Sequence, residues 1–317
     1  MGERFLVTGS GGCIGAWTVA QLMRERTPVV ALDASDDDHR LRLLLDEEER
    51  GGLTRVRGDI TDLEALERTL DEHGITHVIH LAALQVPFCR ADPPLGALVN
   101  VVGTVNVFEA VARRAERMGP VVFASSVAAY DALDDAGGAP AMQGVPGTLY
   151  GVYKRANEGT ATVFASERGV ASVGLRPHTV YGPGRDQGLT SAPTTAMLAA
   201  AAGEPYRLPY GGAYQLQYAP DVAAAFVAAA RSDASGATVR DVGGPAVHTD
   251  ELIAAIRAVA PGVQITYEPA ELPFPADVGD ADVTATPLGE GVADAIRRFR
   301  DLLARGLVEA PGGARRD

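Results

Sequence analysis

A strand pattern that leads through a glycine-rich turn into a helix opens the sequence and constrains the fold more than any other feature. The run Arg4–Thr8 has the apolar and β-branched composition of a strand, and Gly15–Arg26 has a helical pattern. The turn between them, TGSGGCIG, carries a glycine at every third position. Glycine permits the tight turn and lets backbone N–H groups approach a pyrophosphate at the helix N-terminus. The turn residues predicted to contact a dinucleotide are Gly9, Gly12, Cys13, Ile14 and Gly15.

Strand and helix patterns continue to alternate through the first half of the chain. Further strands are predicted at Pro28–Asp33, Thr54–Arg57, His77–Leu81, Val121–Ser125 and Ala171–Arg176. Helices are predicted at Leu63–His73, Leu95–Arg117 and Tyr150–Glu167. Strands that alternate with helices form a parallel sheet covered on both faces. The predicted fold class is therefore α/β, with a Rossmann-type doubly wound parallel sheet.

After Tyr181 the pattern loosens, and the remainder is predicted to form a smaller, discontinuous C-terminal substrate domain. A helix at Asp221–Arg231 and a strand at Thr238–Val242 are expected to return to the main sheet. The predicted division assigns residues 1–181 and about 216–243 to the dinucleotide-binding Rossmann domain, and about 182–215 and 244–310 to the substrate-binding domain. The tail 311–317 is expected to be disordered.

The composition excludes several classes of protein. A net charge of −13 leaves no electrostatic footprint for nucleic acid. The two cysteines, Cys13 and Cys89, provide neither a disulfide framework nor a set of metal ligands, and they fit a reducing compartment. No segment has the pattern of a signal peptide, and no apolar run approaches the ~20 residues that span a bilayer. We therefore expect a cytoplasmic protein without nucleic-acid, membrane or metal partners.

The ends of the predicted strands carry the residues expected to bind the rest of the dinucleotide. Asp33 lies 18 residues beyond Gly15, about where an acidic residue meets the ribose hydroxyls of NAD. Because a carboxylate there would repel a 2′-phosphate, NAD is favoured over NADP. Ligands collect at the carboxyl ends of strands in an open α/β sheet. The further contacts predicted on this ground are Asp59, Ile60, Leu81, Ala82 and Ala83. For each of them the alternative is a purely structural role in strand-end packing. For Asp33 the alternative is a structural role as a turn residue.

The segment TLYGVYKRANE contains Lys154, the only lysine among the 28 Lys and Arg residues. Tyr150 precedes it by four residues and shares its helix face, whereas Tyr153 points about 100° away. A free phenol has a pKa near 10, and a nearby ammonium would lower it. Proton transfer with a carbinol hydroxyl would then be feasible near neutral pH. Ser125 and Ser126 end a predicted strand, and one of them could hydrogen-bond the same substrate oxygen.

With these motifs the chain resembles the extended short-chain dehydrogenase/reductases, the NAD-dependent epimerase/dehydratase family. The resemblance extends over nearly the whole chain. The remaining segments that carry it are Asn100 with Gly103–Asn106, Ser125–Tyr130, Arg176-Pro177, Val180–Gly184 and Asp221–Ala223.

The resemblance implies roles for individual residues. Tyr150 would be the acid/base, Lys154 would bind the nicotinamide ribose while lowering the Tyr150 pKa, and Ser126 would orient the substrate oxygen. The other cofactor contacts that it implies are Asn100, Ser125, Pro177 and Thr179. The position after the catalytic hydroxyl, where sugar-nucleotide 4,6-dehydratases carry an Asp-Glu pair, holds Val127-Ala128, which argues against that dehydration.

The substrate is less constrained by the sequence. Nucleotide-sugar enzymes of the family hold the diphosphate with an Asn at the position of Thr179 and an Arg within the segment 211–221, and neither residue is present. Arg185 or Arg207 could substitute. The candidate substrate contacts are Gln85, Ser126, His178, Arg185 and Gln217. For His178, a structural role is favoured over contact with the substrate. For Gln217, simple alternation along a strand is weighed equally with contact with the substrate.

These residues predict an NAD-dependent oxidoreductase that transfers hydride at a secondary alcohol or ketone of a sugar-like or polyoxygenated small molecule. The alternative is an epimerase that retains NADH, similar to UDP-glucose 4-epimerase. A catalytically silent NAD-sensing regulator is a third possibility, and intact Ser126, Tyr150 and Lys154 argue against it. Members of the family often dimerise through helices corresponding to Leu95–Arg117 and Tyr150–Glu167, so a homodimer is also predicted.

Overall fold

The computed structural model describes residues 2–131, 141–279 and 285–311, so that all of the predicted tail except Pro311 lies outside the described residues. The strands of these ranges are β1 (Phe5–Thr8), β2 (Val29–Asp33), β3 (Thr54–Arg57), β4 (His77–His80), β5 (Val121–Ala124), β6 (Ser172–Arg176), β7 (Thr179–Tyr181), β8 (Tyr206–Leu208), β9 (Ala213–Tyr218), β10 (Ala237–Asp241), β11 (Ala246–His248) and β12 (Ile265–Tyr267). Seven of them form a parallel sheet in the order β10-β6-β5-β4-β1-β2-β3. The strand order reverses between β1 and β4, and ligands bind at such a point in open α/β sheets.

Helices connect these strands on both faces of the sheet. Within the described ranges they are α1 (Cys13–Arg24), α2 (His39–Leu44), α3 (Glu47–Gly51), α4 (Leu63–Glu72), α5 (Val86–Ala91), α6 (Pro93–Ala97), α7 (Gly103–Ala112), α8 (Leu149–Arg168), α9 (Ala192–Ala202), α10 (Ala219–Ala230), α11 (Thr249–Val259) and α12 (Leu288–Ala304). The single helix predicted over Leu95–Arg117 is instead divided: a π-helical turn at Leu98–Val102 separates α6 from α7, and α7 ends at Ala112.

The side chains of β1 show why the sheet needs helices on both sides. Phe5 and Val7 belong to one buried cluster, in which α1 packs against α10. Leu6 points to the other face and joins the cluster that contains Leu66 of α4 and Phe108 of α7. Since successive residues of a strand face opposite sides, a fully buried strand must be covered twice. The Rossmann-type fold predicted from the alternating pattern is confirmed.

The second half of the chain contributes a separate apolar cluster. It joins α9, α11 and α12 through residues such as Met197, Ile256 and Phe299. Two small sheets, β11-β9-β7 and β12-β8, border it. The segment containing α10 and β10 returns to the main sheet, where β10 pairs with β6. The exact division of the chain into two domains remains a prediction.

The helical run Pro93–Ala112 is, by length and composition alone, apolar enough to cross a membrane, with a mean hydropathy of 1.6. A helix was predicted over Leu95–Arg117, but an apolar run of this length was not expected. Its polar residues Asn100 and Thr104 are both buried. Asn100 hydrogen-bonds the loop after β4, and Thr104 hydrogen-bonds His80 of β4. These contacts are those of a helix packed on the sheet.

Candidate active site

The three residues predicted to be catalytic lie together at the carboxyl end of β5. Tyr150 and Lys154 are on α8, and Ser126 begins the turn that follows β5. The Ser126 hydroxyl lies close enough to the Tyr150 phenol to favour its ionised form. Lys154 Nζ donates to the carbonyl oxygen of Ala124 at 2.6 Å and lies 5.4 Å from the centre of the Tyr150 ring. A phenol with a hydroxyl on one side and an ammonium near its ring can exchange a proton with a bound alcohol.

The structure distinguishes between the two adjacent serines. The Ser125 hydroxyl is buried and donates to the Glu158 carboxylate. Ser126 Oγ accepts a hydrogen bond from the Ala128 backbone at 3.1 Å, which leaves its own proton available towards Tyr150. Of the pair, Ser126 therefore has the geometry of the substrate-orienting hydroxyl, whereas Ser125, predicted as a cofactor contact, has its hydroxyl on Glu158 and its N–H on the Leu175 carbonyl oxygen.

A glycine allows α8 to approach the turn that carries Ser126. Thr148 caps the helix, because its Oγ1 accepts from the Gly151 N–H at 3.1 Å. At Gly151 a Cβ atom would lie 1.9 Å from the carbonyl oxygen of Ala128, closer than any real contact. This approach sets the distance between Ser126 and Tyr150.

Burial disfavours the charged forms of both proton-transfer groups and shifts their pKa values accordingly. Burial raises the pKa of Tyr150 to about 12, against the opposing effects of the Ser126 hydroxyl and the Arg185 charge. Burial also lowers the pKa of Lys154 to about 8, while Cys89 and Glu158 act in the opposite direction. The expectation that Lys154 lowers the Tyr150 pKa is not met in this structure, since burial dominates and the ammonium is directed at the Ala124 carbonyl.

The glycine-rich turn forms the predicted cradle at the N-terminus of α1. Gly9 has a φ of +70°, and a Cβ there would lie 2.5 Å from the backbone nitrogen of Ala82. At Gly15 a Cβ would lie 2.1 Å from the Gly9 carbonyl oxygen. Gly12 is the N-cap of α1, and Cys13 and Ile14 are its first residues and half-buried. The unpaired N–H groups of this helix end suit a pyrophosphate.

Asp33 lies beside this turn, at the end of β2. Its carboxylate accepts hydrogen bonds from the backbone N–H groups of Gly11 at 2.8 Å and Ser35 at 3.0 Å. A cavity of about 260 Å³ opens next to it. The two arginines that border this cavity, Arg55 and Arg57, are paired with aspartates at 3.4 and 2.9 Å. The site thus presents a carboxylate and neutralised guanidinium groups, which suits a ribose diol better than a 2′-phosphate.

The remaining residues predicted at strand ends have different environments. Leu81, Ala82 and Ala83 are half-buried, and Asp59 is exposed, so that these four can reach a ligand. Ile60 is buried beneath Gly103, where a Cβ would lie 2.5 Å from its Cδ1 atom. Pro177 is buried, and its carbonyl oxygen accepts from the Val127 N–H at 3.2 Å.

Asn100 sits in the π-helical turn and organises the loop after β4. Its side chain accepts from the Leu84 N–H at 2.7 Å and donates to the Leu84 carbonyl oxygen at 2.9 Å. Its own carbonyl oxygen accepts from Thr104 Oγ1 at 2.7 Å and from Asn157 Nδ2 at 2.9 Å. Single π-helical turns are frequent at functional sites. Asn157, which ties this turn to α8, was not predicted, because its partner, the Asn100 carbonyl oxygen, lies 57 residues away in the sequence.

Three of the residues predicted as ligand contacts are taken up by the protein itself. His178 is buried, with one ring nitrogen bonded to Thr179 Oγ1 at 3.1 Å and the other to the Pro275 carbonyl oxygen at 3.0 Å. Thr179 is fully buried. The Gln217 amide accepts from the His178 N–H and donates to the Gly243 carbonyl oxygen, both at 2.8 Å. These contacts argue for structural roles in place of the predicted ones.

Arg185 and Gln85 both lie close to Gly188, and the Arg185 guanidinium donates to the Gln187 carbonyl oxygen and to Thr190 Oγ1 in its own loop. A Cβ at Gly188 would lie 3.2 Å from Gln85 Oε1 and 3.9 Å from an Arg185 Nη atom. The Arg185 charge opposes the rise in the pKa values of both Tyr150 and Cys13. Arg207, the other arginine considered as a diphosphate contact, is exposed and paired with Glu268 at 2.8 Å.

Arg40, which the sequence analysis did not single out, holds the loop that carries Arg185 against the glycine-rich turn. Its guanidinium donates to the carbonyl oxygens of Gly11 at 2.8 Å and Gly184 at 2.9 Å, and it pairs with Asp186 at 2.5 Å. Trp17 Nε1 of α1 donates to the Pro183 carbonyl oxygen at 2.9 Å. No local sequence pattern could have shown this, because the partners are about 145 residues apart.

Comparison with known proteins places this site in a family. The sequence profile described as the NAD dependent epimerase/dehydratase family matches residues 5–243. UDP-glucuronate 4-epimerase 2 of Arabidopsis thaliana is 33% identical over 197 residues, which cover 57% of this chain and 43% of that protein. UDP-glucose 4-epimerase of Mycolicibacterium smegmatis is 33% identical over 192 residues, 58% of each protein. The match thus spans about half the length of these curated relatives.

Solved structures resemble the chain over nearly its whole length. The UDP-glucose 4-epimerase of Thermus thermophilus, in complex with NAD, has a TM-score of 0.73 at 28% identity and covers 94% of this chain and 99% of its own. A partial consensus L-threonine 3-dehydrogenase has a TM-score of 0.79 at 25% identity, covering 94% and 100%. The profile match includes the glycine-rich turn, Asp33 and the Tyr150 site, and NAD is the cofactor of the proteins it describes. The chain is therefore an NAD-dependent enzyme that belongs to the epimerase/dehydratase family.

Proposed function

We propose that this enzyme is an NAD-dependent 4-epimerase of a nucleotide sugar, similar in activity to the UDP-sugar 4-epimerases. The observation that carries the proposal is the contact of Ser126 and Tyr150 beside Lys154, on a fold and sequence shared with proteins named as such epimerases. The sequence alone favoured a net dehydrogenase. The relatives support the alternative that was weighed beside it, and the same residues serve both reactions.

In this proposal Tyr150 takes one proton from the substrate and later returns it. Tyr150 takes the proton of the substrate hydroxyl as the carbon loses its hydride, and Ser126 holds the same oxygen. When bound, NAD would supply the acceptor and then the donor of that hydride, and its oxidised form would bring a positive charge that favours the phenolate. Once the ketone presents its opposite face, Tyr150 would return the proton to the oxygen. Lys154 would hold the nicotinamide ribose.

Arg185 is the proposed contact to the charged part of the substrate. A guanidinium can bind two oxygens of a diphosphate at once. The effect of its charge on the Tyr150 pKa supports this assignment, and Gln85, which like Arg185 lies close to Gly188, would bind a hydroxyl of the sugar. Asp33 is the proposed determinant of the preference for NAD.

A net dehydrogenase of a polyoxygenated substrate without a nucleotide is the second candidate. The observation in its favour is the segment 211–221, which carries no arginine, together with the burial of Thr179 at the position where the nucleotide-sugar enzymes have an asparagine. The similarity to the consensus L-threonine 3-dehydrogenase adds to it.

Product analysis separates the two candidates. The purified protein, loaded with NAD, is incubated with UDP-glucose and UDP-glucuronate in one series and with the corresponding free sugars in another. The proposal predicts a 4-epimer of a UDP-sugar without net NADH, and no epimer with Tyr150→Phe. NADH formed in step with a ketone product, from the free sugars above all, would replace the first candidate by the second.

A homodimer and a cytoplasmic location complete the proposal. Apolar side chains are exposed along the face formed by α5 to α8. They are Phe88, Leu95, Leu98, Val102, Leu149, Val152 and Val163. Exposed apolar side chains grouped on neighbouring helices support an interaction surface there. Light scattering should give twice the chain mass, and Leu98→Arg should shift the protein to the monomer; a wild-type monomer would refute the dimer.

A further inference from the structure

A buried ion pair lies directly behind the catalytic residues, on the same face of α8. Glu158 follows Lys154 by four residues and Tyr150 by eight, so that the three side chains form one stripe along the helix. The Arg176 guanidinium binds the Glu158 carboxylate with two parallel bonds, Nε and Nη2 each donating at 2.7 Å. Both side chains are nearly inaccessible, at 11% for Arg176 and 9% for Glu158.

This pair reaches the catalytic residues through Ser125. The Ser125 hydroxyl donates to the same carboxylate oxygen that accepts from Arg176 Nε. Ser125 lies between Ala124, whose carbonyl oxygen holds Lys154 Nζ, and Ser126, which contacts Tyr150. The Glu158 carboxylate therefore fixes the end of β5 against α8 at the point where all three catalytic side chains meet.

The other side of the pair is anchored in the sheet. Arg176 ends β6, and its Nη1 donates to the Tyr130 hydroxyl at 3.2 Å, while its guanidinium stacks on the Tyr130 ring at 4.8 Å. The Tyr130 hydroxyl in turn donates to Asp241 Oδ2, at the end of β10, at 2.8 Å. A chain of hydrogen bonds thus runs from Asp241 of β10 through Tyr130 and Arg176 to Glu158 on the catalytic helix.

We propose that Glu158 and Arg176 form a positioning unit, which holds the Ser125 hydroxyl away from the cleft and sets the place and charge of the Lys154 ammonium. The catalytic role of Lys154 rests on the proposed function, whereas its surroundings do not. The groups that face Lys154 are Tyr150 and Glu158 on α8, Cys89 on α5 and His80 on β4. Glu158 is the acidic member of this set, and it opposes the effect of burial on the Lys154 pKa.

The lone lysine makes a direct test possible. Protein labelled with carbon-13 only in lysine gives a single side-chain signal, that of Lys154, whose titration can be followed without substrate. The wild type should titrate near pH 8. In Glu158→Gln the midpoint should fall by roughly one pH unit, because an opposite charge within reach is removed. At pH 8 the protonated fraction would drop from about one half to about one tenth.

A matched control substitutes Glu67, a glutamate that is also bonded to arginine side chains. Glu67 on α4 accepts from Arg113 at 3.0 Å and Arg114 at 3.3 Å, remote from the site. Glu67→Gln should leave the Lys154 midpoint unchanged. If Glu158→Gln does not fold because Arg176 is left unpaired, Glu158→Gln with Arg176→Met removes both buried charges, a change that proteins often tolerate. The midpoint should still fall in that double variant.

Turnover provides the second readout. In the NAD-loaded enzyme, the alkaline limb of the kcat profile should move with the Lys154 midpoint, by about one pH unit in Glu158→Gln, with KM changed less than about twofold. A Lys154 midpoint equal to that of the wild type in the Glu158 variants would overturn the proposal. If the Lys154 midpoint shifts but neither the wild type nor any variant has epimerase activity, the positioning unit is supported and the proposed function is refuted.

Discussion

Two glycines on the catalytic helix should respond in opposite ways to the same substitution. Gly151 and Gly159 both lie within α8, eight residues apart. At Gly159 an added Cβ meets nothing within 4 Å. At Gly151 it would lie 1.9 Å from the Ala128 carbonyl oxygen, and ordinary contact begins at 3.4 Å. Gly151→Ala must therefore separate α8 from the turn after β5 by about 1.5 Å.

The size of the effect follows from that displacement. Ser126 begins this turn, and Tyr150 precedes Gly151, so that the separation falls directly on the hydroxyl–phenol contact. A misplacement of about 1 Å can lower kcat by roughly 100-fold. The forced overpacking should also destabilise the fold by roughly 1–3 kcal/mol. Gly159→Ala should retain kcat and stabilise the helix by roughly 0.5–1 kcal/mol.

The assay compares kcat and thermal unfolding of the two variants with those of the wild type, at equal NAD saturation. Because both carry the same Gly→Ala change in one helix, helix propensity cannot account for a difference between them. Gly151→Ala with wild-type kcat would show that the close approach of α8 to Ala128 does not position the catalytic pair.

Three further variants or conditions test other parts of the site. Asp33→Ala should weaken NADH binding and relax the discrimination against NADPH, each by roughly tenfold, in fluorescence titrations; unchanged ratios would contradict the ribose assignment. Lys154→Arg should lower kcat by at least about 100-fold while circular dichroism stays unchanged, because a guanidinium is too large for the Lys154 site; retained turnover would contradict its role. Burial lowers the pKa of His80 to about 3 and of His178 to about 4, so both histidines bind protons at a higher pH in the unfolded state than in the folded state. The free energy of unfolding should therefore fall as the pH drops from 6.5 towards 4. Denaturant titrations that show no such decrease would contradict the buried neutral state of the two histidines.

The parts of the fold that depend on local pattern could be predicted from the sequence. The strands β1 to β6, the glycine-rich turn and the catalytic helix each rest on residues close in sequence, since strand and helix periods and the spacing of Tyr150 and Lys154 are local. Short helices such as His39–Leu44 and Glu47–Gly51 were missed, because a stretch of about six residues is too short for a helical period to show.

The parts that depend on distant contacts could not be predicted. Arg40 acts through residues about 145 positions away. Gln215 and Gln217 are nearly inaccessible in β9, and their amides bond to the backbone carbonyl oxygens of Val278 and Gly243 at 2.8 Å each. A strand pattern shows which residues alternate but not which face is lined with backbone acceptors. The buried Glu158–Arg176 pair likewise depends on β6 and α8 meeting in the fold.

The fate of the transferred hydrogen tests the central claim most directly. UDP-glucose or UDP-glucuronate carrying deuterium at C4 is converted by the NAD-loaded enzyme, and the position of the deuterium is read by NMR and mass spectrometry. The account predicts deuterium at C4 of the 4-epimer, because the hydride leaves and returns within one active site, and no conversion by Tyr150→Phe. Deuterium in released NADH, or an epimer formed at the wild-type rate by Tyr150→Phe, would contradict it.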